Sequence, residues 1–258
     1  MALLAFALFR AQLLPPAVTP ADDTAPQSER LRQRPPATEP LEGHRAANFA
    51  EQRQQMVDRQ LAGRDIRDPR VLAAMRGVPR HAFVPEMFRD ISYADRPLPI
   101  GHDQTISQPY IVALMTQLAR PQPAARALDI GTGSGYQAAI LAQLVKKVYS
   151  IEILCPLADS ARQRLKSLGY TNVEVICGDG YRGLPDKAPF DLIIVAAAPD
   201  HVPQPLVQQL AVGGRLVIPV GRFFQDLLVI EKRADGTLHR ENVAPVAFVP
   251  MTGEAEQK

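Results

Sequence analysis

The feature that most constrains this chain is an alternation of short apolar segments with amphipathic ones from residue 126 onward. The apolar segments have the length and β-branched content of strands, and the segments between them have helical spacing. The predicted strands span 126–130, 147–152, 173–177, 190–196, 214–220, 226–232 and 243–249, and the predicted helices span 136–144, 156–168 and 203–210.

Repeated strand–helix units require right-handed crossovers and a parallel sheet that is covered on both faces. The segment 190–196 is apolar almost throughout, as a central strand should be. No helix separates the last two strands, so we expect an antiparallel hairpin at one edge. The predicted fold class is α/β, with a Rossmann-like, doubly wound, mostly parallel seven-stranded sheet and an N-terminal helical segment.

That helical segment is predicted from apolar residues upstream of the sheet. Phe49, Met56, Val57 and Leu61 recur at helical spacing. Asp68-Pro69 has the residue types of an N-cap and a first helical position, and Gly77 would end that helix. Residues 78–108 contain scattered prolines and glycines and are interpreted as an irregular connection, followed by a helix over 109–119.

The chain divides near residue 45, where its composition changes. Residues 15–43 are rich in proline and poor in large apolar side chains, so they cannot bury enough surface to offset their ordering entropy. Residues 1–14 are apolar apart from Arg10 and Gln12 and have the composition of a secretory signal segment, but no lysine or arginine precedes them and no clean cleavage site follows. A short amphipathic helix, or upstream sequence without a structural role, is the favoured interpretation. We expect a disordered or weakly structured extension over 1–45, a folded domain over 46–258 and a cytoplasmic location.

Composition excludes several classes of protein. Lys+Arg 29 against Asp+Glu 27 gives a net charge of +2, which argues against a domain devoted to the phosphate backbone of nucleic acid. No apolar run reaches the ~18 residues of a bilayer span. The two cysteines, Cys155 and Cys177, indicate neither a disulfide framework nor a metal-binding pair, and the five histidines show no ligand spacing, so no metal is expected.

A glycine-rich turn follows the first predicted strand, in the segment Ala-Leu-Asp-Ile-Gly-Thr-Gly-Ser-Gly-Tyr at 127–136. Ligands of open α/β sheets bind at the carboxyl ends of the strands, where this turn would lie. The dinucleotide fingerprint requires a third glycine at position 136, which is Tyr136, and a Walker loop requires a Gly-Lys-Ser/Thr that is absent. The turn therefore indicates a different ligand.

Two further acidic residues follow the next two predicted strands. Glu152 ends the second strand, where a carboxylate accepts hydrogen bonds from a ribose diol. Asp179, followed by Gly180, lies just beyond the third strand, where it can receive the exocyclic amine of adenine. Asp129, Glu152 and Asp179 in this order indicate an adenosine-containing ligand without a pyrophosphate. The alternative is that the glycines make a tight turn and the acids cap helices.

This combination resembles the class I S-adenosylmethionine-dependent methyltransferases. The resemblance implies S-adenosyl-L-methionine as cofactor, with the glycine turn around its methionine part. It also implies that an acid at Asp129 suits the cationic sulfonium and ammonium through water or direct contact. The implied cofactor-binding residues are Asp129, Gly131, Gly133, Gly135, Glu152, Asp179 and Gly180.

A second set of motifs resembles the protein-L-isoaspartate O-methyltransferase family over about residues 56–257. The most specific is Thr-Ile-Ser-Gln-Pro at 105–109; others are Val-Ala-Ala-Ala-Pro at 195–199, Gly-Gly-Arg-Leu-Val-Ile-Pro-Val-Gly at 213–221 and Phe-Val-Pro-Met-Thr at 248–252. The resemblance implies methylation of the free α-carboxylate of L-isoaspartyl residues in damaged proteins, which initiates repair. It places Ser107 as the active-site serine, and Thr105, Ile106, Thr252 and Gln257 as cofactor contacts. We expect no nucleic-acid or membrane partner and a monomer.

Alternatives stay open at this point. Ser107 could simply cap the helix that Pro109 opens. The chain could be a methyltransferase for a base or a metabolite, although the Ala-Ala-Pro-Asp at 197–200 lacks the donor set typical of amino methylation. It could also be a non-catalytic module that binds the cofactor, which would have no need of Ser107.

Overall fold

The computed structural model describes residues 41–257 of the chain, with side chains from Asn48 to Glu256. Among these residues are six α-helices: α1 Leu41–Gln55, α2 Pro69–Gly77, α3 Pro109–Leu118, α4 Tyr136–Ala142, α5 Cys155–Ser167 and α6 Gln204–Gln208. The strands are β1 Leu98–Gly101, β2 Gln104–Ile106, β3 Arg126–Ile130, β4 Lys147–Glu152, β5 Val173–Cys177, β6 Phe190–Val195, β7 Leu210–Val220, β8 Gln225–Lys232 and β9 Leu238–Val246.

Seven strands form one sheet in the order β5-β4-β3-β6-β7-β8-β9, and β1 pairs with β2 in a separate hairpin. The pairs among β3, β4, β5, β6 and β7 are parallel, whereas β8 is antiparallel to β7 and β9 is antiparallel to β8. The predicted fold class is therefore confirmed, including the antiparallel hairpin at one edge. The chain crosses from one half of the sheet to the other between β3 and β6, and the crevice at such a switch point is where ligands bind.

Buried residues cover both faces of the sheet. In β6, Leu192 and Ile194 belong to the apolar cluster that also holds α2, α3 and α4, whereas Ile193 and Val195 belong to the cluster around α6. Successive side chains of a strand point to opposite faces, so a strand that is covered on both must be apolar throughout. This explains the apolar run at 190–196, which is broken only by the exposed Asp191 near the start of β6.

The observed bounds of β7 and β9 differ from the predicted ones. β7 begins at Leu210 instead of 214, because Leu210 pairs with Phe190 before a register shift around the left-handed Gly213. β9 spans Leu238–Val246 instead of 243–249, since it pairs along β8 from Lys232 to Gln225. The first half of β9 is exposed. Edge pairing, rather than an apolar pattern, defines this strand.

The N-terminal helices cover one side of the sheet. The predicted apolar stripe of Phe49, Met56, Val57 and Leu61 is buried, but the helix widens into a π-helical turn over Met56–Ala62. Asp68 caps α2 by accepting a hydrogen bond from the Arg70 amide at 2.8 Å, and α2 ends at Gly77, as the sequence predicts. The region 78–108 is less irregular than predicted, since it contains two 3₁₀ turns and the β1–β2 hairpin.

The prediction that the cysteines form no disulfide is wrong. Cys155 and Cys177 are joined, with their Cα atoms 5.1 Å apart. The sheet register brings them together, because Glu152 lies opposite Cys177 and α5 begins with Cys155 just beyond Glu152. A separation of 22 residues in sequence hides this proximity.

The predicted extension over 1–45 lies outside the described residues, except that α1 begins at Leu41. The expectation of disorder at 15–43 and the interpretation of residues 1–14 therefore concern a part of the chain that is not described here. Within the described part, no helix is both long enough and apolar enough to cross a bilayer.

Candidate active site

A cavity of about 310 Å³ opens at the carboxyl edge of the sheet, above the ends of β3, β4 and β6. That volume lies at the lower end of the range usual for small-molecule sites, about 300–1,000 Å³. Its lining comes from the glycine turn after β3, the ends of β4 and β6, the loop after β5, the β1–β2 hairpin and the segment 249–252. The chain folds these distant segments around one site because all the parallel strands end at the same edge.

The glycine turn leaves β3 through left-handed backbone. Gly131, Gly133 and Gly135 have φ values of +87°, +52° and +89°, a region that side chains disfavour. Gly135 is the N-cap of α4, and a Cβ there would meet Leu165 at 3.2 Å. Gly131 and Gly133 line the cavity with their backbone, whereas Gly135 lies outside the lining and shapes the turn from behind.

Glu152 fixes the glycine turn from the neighbouring strand. One carboxylate oxygen accepts a hydrogen bond from the Gly133 amide at 2.8 Å, and the other accepts from the Leu154 amide at 3.0 Å. Glu152 is buried and lines the cavity. Each carboxylate oxygen has further acceptor capacity, so the same group can receive the hydroxyls of a bound ribose.

Asp129 is completely buried and does not line the cavity. Its Oδ2 accepts a hydrogen bond from the Ser150 hydroxyl at 2.7 Å, and Ser150 lies 2.6 Å from the hydroxyl of Thr132, which does line it. Desolvation raises the pKa of Asp129 to about 7, opposed by the Ser150 hydrogen bond and assisted by the charge of Glu152. Two hydroxyl groups therefore lie between Asp129 and the cavity, which does not match the direct contact that was one of the expected arrangements.

Asp179 joins the loop after β5 to the end of the chain. Its Oδ1 accepts from the Tyr181 amide at 2.9 Å and its Oδ2 accepts from the Glu254 amide at 2.8 Å. Asp179 and Gly180 both line the cavity. A Cβ on Gly180 would lie only 2.3 Å from a methyl group of Ile130, so this position admits no side chain.

The β1–β2 hairpin forms one wall of the cavity. Thr105, Ile106 and Ser107 line it, and Ile106 is buried while Ser107 is half-buried. The residue that caps α3 is Gln108, so Ser107 does not act as the cap. Among the described residues, no hydrogen-bond partner takes up the Ser107 hydroxyl, which leaves it available to a ligand.

The C-terminal wall of the cavity contains more residues than the one predicted from the 248–252 motif. Val249, Pro250 and Met251 line the cavity beside the predicted Thr252, held by hydrogen bonds from the Ala198 amide to Val249 (2.9 Å) and from the Met251 amide to Ala198 (2.8 Å). The motif identifies the segment, but nothing local to it places residues 249–251 at the ends of the parallel strands. The predicted Gln257 ends a 3₁₀ helix over Gly253–Gln257, and its side chain lies outside the described set.

The charge of the cavity suits a cationic ligand. Glu152, Asp179 and Asp103 are among the described lining residues, and no lysine or arginine is. Backbone amides and hydroxyls supply the donors. An acidic cavity with a glycine cradle fits the sulfonium, ammonium and ribose groups of S-adenosylmethionine.

Comparison with known proteins agrees with this geometry. The profile of the protein-L-isoaspartate (D-aspartate) O-methyltransferase family matches residues 51–256. Protein-L-isoaspartate O-methyltransferase 2 of a Polaromonas species is 57% identical over 194 residues, covering 74% of this chain and 92% of the relative. Protein-L-isoaspartate O-methyltransferase of Methanoregula boonei is 58% identical over 207 residues, covering 80% and 94%.

Two solved structures of such enzymes have the same fold. A protein-L-isoaspartate O-methyltransferase superposes with a TM-score of 0.71 at 27% identity, covering 80% of this chain and 67% of the other. A Plasmodium falciparum structure in complex with S-adenosyl-L-homocysteine gives a TM-score of 0.68 at 27% identity, covering 78% and 98%. The extent of the profile match and the identity to these relatives establish that the chain belongs to the protein-L-isoaspartate (D-aspartate) O-methyltransferase family.

Proposed function

We propose that the described cavity holds S-adenosylmethionine between the glycine turn, Glu152 and Asp179, and presents Ser107 to the α-carboxylate of an L-isoaspartyl residue. Family membership makes the chain an S-adenosylmethionine-dependent protein carboxyl O-methyltransferase. The residue roles are our proposal. The observation that supports them is that Ser107 lines the same cavity as the glycine turn and both carboxylates.

Each part of the cavity has one role toward the cofactor. The Gly131–Gly133 backbone approaches the methionine part, Glu152 accepts the ribose hydroxyls, and the Asp179–Gly180 backbone and carboxylate contact the adenine. Thr105, Ile106 and Thr252 close the cavity from two sides. When bound, S-adenosylmethionine supplies an activated methyl group for transfer to an oxygen nucleophile.

The acceptor needs no general base. A carboxylate with an ordinary pKa near 4 is already ionised at pH 7, so the protein contributes alignment and removal of water instead. The Ser107 hydroxyl donates a hydrogen bond to one carboxylate oxygen and orients the other. The small Ala196 and Ala197 line the cavity and leave room for a peptide backbone. Proximity of this kind can supply ~7–11 kcal/mol of barrier reduction.

The direct test is transfer of a tritiated methyl group to a short isoaspartyl peptide, with its normal aspartyl twin as control. We expect base-labile label on the isoaspartyl peptide alone. Equal labelling of both peptides would refute the repair specificity, and binding of S-adenosylhomocysteine without any transfer would favour a non-catalytic module.

The partners are damaged proteins and peptides that carry L-isoaspartyl residues, and we propose that the chain acts on them as a monomer without nucleic acid or membrane. The edge strand β9 supports the monomer, because Arg240 and Glu241 are exposed on it and Pro245 interrupts its hydrogen-bonding edge. The net charge of +2 supports the absence of a nucleic-acid partner. Light scattering of the purified chain tests whether it is a monomer, and filter binding tests whether it binds nucleic acid.

A cytoplasmic location is also a proposal, and the Cys155–Cys177 disulfide weighs against it. Disulfides persist mainly in oxidising compartments, whereas cytoplasmic thiols are kept reduced. Cell fractionation followed by thiol alkylation decides the point. Alkylated, reduced cysteines in the cytoplasmic fraction would support the proposal, and a protected disulfide in an oxidising compartment would overturn it.

A further inference from the structure

Two adjacent phenylalanines are almost wholly exposed in the turn between β7 and β8. The exposed fraction is 86% for Phe223 and 94% for Phe224. Single exposed apolar residues are ordinary, but two large aromatic side chains exposed at consecutive positions place an unusual amount of apolar surface in one short turn. We call residues 221–224 the aromatic turn.

The aromatic turn lies at the same edge of the sheet as the cavity. β7 is parallel to β6, so its end at Val220 is at the carboxyl edge. The Gly221 amide donates to the Pro199 carbonyl at 3.0 Å, and Pro199 follows the cavity-lining Ala196 and Ala197. The turn is therefore attached to the segment that borders the proposed acceptor position.

Hydrogen bonds also connect the turn to the C-terminal wall of the cavity. The Gln225 side chain accepts from the Phe248 amide at 2.6 Å and donates to the Phe248 carbonyl at 3.0 Å. The next residues along the chain, Val249 and Pro250, line the cavity. The aromatic turn is therefore hydrogen-bonded, on both sides, to segments that continue into the cavity lining.

The backbone of the turn is tightly constrained. Gly221 has a φ of +131°, and a Cβ there would lie 2.0 Å from the Phe224 carbonyl oxygen. The Arg222 guanidinium lies 5.7 Å from the centre of the Phe223 ring, within the range of a cation–π contact. The backbone of the turn thus has a defined conformation, so its ordering adds little to the cost of binding.

The substrate of the family indicates what the aromatic turn would contact. An isoaspartyl residue belongs to a polypeptide, and a cavity of about 310 Å³ cannot also hold the chain on either side of it. That flanking chain must cross the rim of the cavity. Aromatic side chains supply large contact areas at interfaces and pack against both apolar side chains and peptide groups.

Resting on the proposed function, we propose that Phe223 and Phe224 form the docking surface for the polypeptide segment next to the isoaspartyl residue. They bind the flanking chain and take no part in methyl transfer. The two rings thereby favour acceptor sites in extended, accessible segments over isolated isoaspartyl groups.

The test compares two acceptors: an isoaspartyl tripeptide, and a longer peptide that embeds the same tripeptide in flanking chain. For the double variant Phe223→Ser/Phe224→Ser we expect KM for the longer peptide to rise about five- to tenfold, as for loss of a moderate interface anchor. The kcat for both peptides, KM for the tripeptide and Kd for S-adenosylhomocysteine should stay unchanged. Phe223→Tyr/Phe224→Tyr should keep the normal KM.

Val212→Ser is the matched control, because Val212 is 63% exposed near the opposite end of β7. An unchanged KM for the longer peptide, equal weakening of both peptides, or the same effect from Val212→Ser would overturn the inference. A dimer that the double serine variant abolishes would assign the surface to a second copy of the chain and overturn it too. Failure of the unaltered chain to methylate either peptide would instead refute the proposed function itself.

Discussion

At the scale of single residues, Ser107 is the group on which the proposed acceptor geometry depends. We expect Ser107→Ala to lower kcat about 10- to 100-fold, because a hydrogen bond to a charged group contributes about 1.5–3 kcal/mol. The Kd for S-adenosylhomocysteine should change less than about twofold, since the cofactor contacts proposed above lie on other residues. Steady-state kinetics and calorimetric titration measure the two effects separately. Ser107→Thr, which keeps a hydroxyl, is the matched control, and an equal loss of kcat and affinity in Ser107→Ala would show a structural role.

Asp129 gives a prediction of a different kind, because burial raises its pKa from 3.8 to about 7. Between these values the folded chain retains a proton that the unfolded chain has released. The stability contributed by Asp129 is thus fully present below pH ~4 and falls as pH rises to ~7. The change is on the order of a few kcal/mol, at 1.36 kcal/mol per unit of pKa.

Urea unfolding between pH 5 and pH 8 measures this dependence. Asp129→Asn should flatten the pH dependence of the unfolding free energy, since an amide does not titrate and can still accept from Ser150. Asp186→Asn, at an exposed position, should keep it. If the unfolding free energy of Asp129→Asn depended on pH as steeply as that of the unaltered chain, a group other than Asp129 would cause the dependence.

At the scale of elements, the C-terminal 3₁₀ helix Gly253–Gln257 is held against the site through Asp179. Gly253 has a φ of +82°, and a Cβ there would lie 2.5 Å from the Asp179 carboxylate and 2.8 Å from Ile153. We expect Gly253→Ala to raise the Kd for S-adenosylhomocysteine about tenfold, because a displaced Asp179 costs roughly one hydrogen bond to a charged group.

Gly236 offers a control that separates backbone strain from the clash. Its φ is +79°, but nothing lies within 4 Å of a Cβ built there. Gly236→Ala should lose about 1–2 kcal/mol of stability from left-handed strain alone and keep normal cofactor affinity. Calorimetric titration of both variants gives the comparison. Equal affinities in the two would contradict the role assigned to Asp179.

The elements also show why sequence patterns predicted some parts of this fold and missed others. The strands at 126–130 and 147–152 were predicted with the correct bounds. Both faces of each strand are buried, so each sequence has apolar residues at adjacent positions. The first half of β9 is exposed and exists through pairing with β8, which leaves no apolar signature. The Cys155–Cys177 pair likewise depends on sheet register, which is a property of two strands and not of either segment alone.

The residues of the site also divide into those that local sequence predicts and those that only the tertiary structure reveals. Glu152 and Asp179 were predicted because each directly follows a recognisable strand, and both line the cavity. Asp129 shares that sequence logic but lies behind the cavity, since alternation along β3 turns it into the interior. Val249 and Pro250 come from the far edge of the sheet and return to its centre through contacts with Ala198, which only the tertiary structure reveals.

At the scale of the whole molecule, the family match begins at residue 51 and the described core begins at Phe49. We therefore expect a chain that lacks residues 1–40 to keep its unfolding free energy within about 0.5 kcal/mol, as for changes outside a core. Its kcat/KM for an isoaspartyl peptide should also be unchanged.

A deletion through residue 62 is the contrasting variant, because it removes Met56, Val57 and Leu61, which are at most 1% exposed. Burial of each such side chain contributes about 1.5–3 kcal/mol, so the longer deletion should unfold at much lower urea concentration. Loss of folding in the shorter deletion would place the first 40 residues within the folded domain, contrary to the boundary proposed from composition.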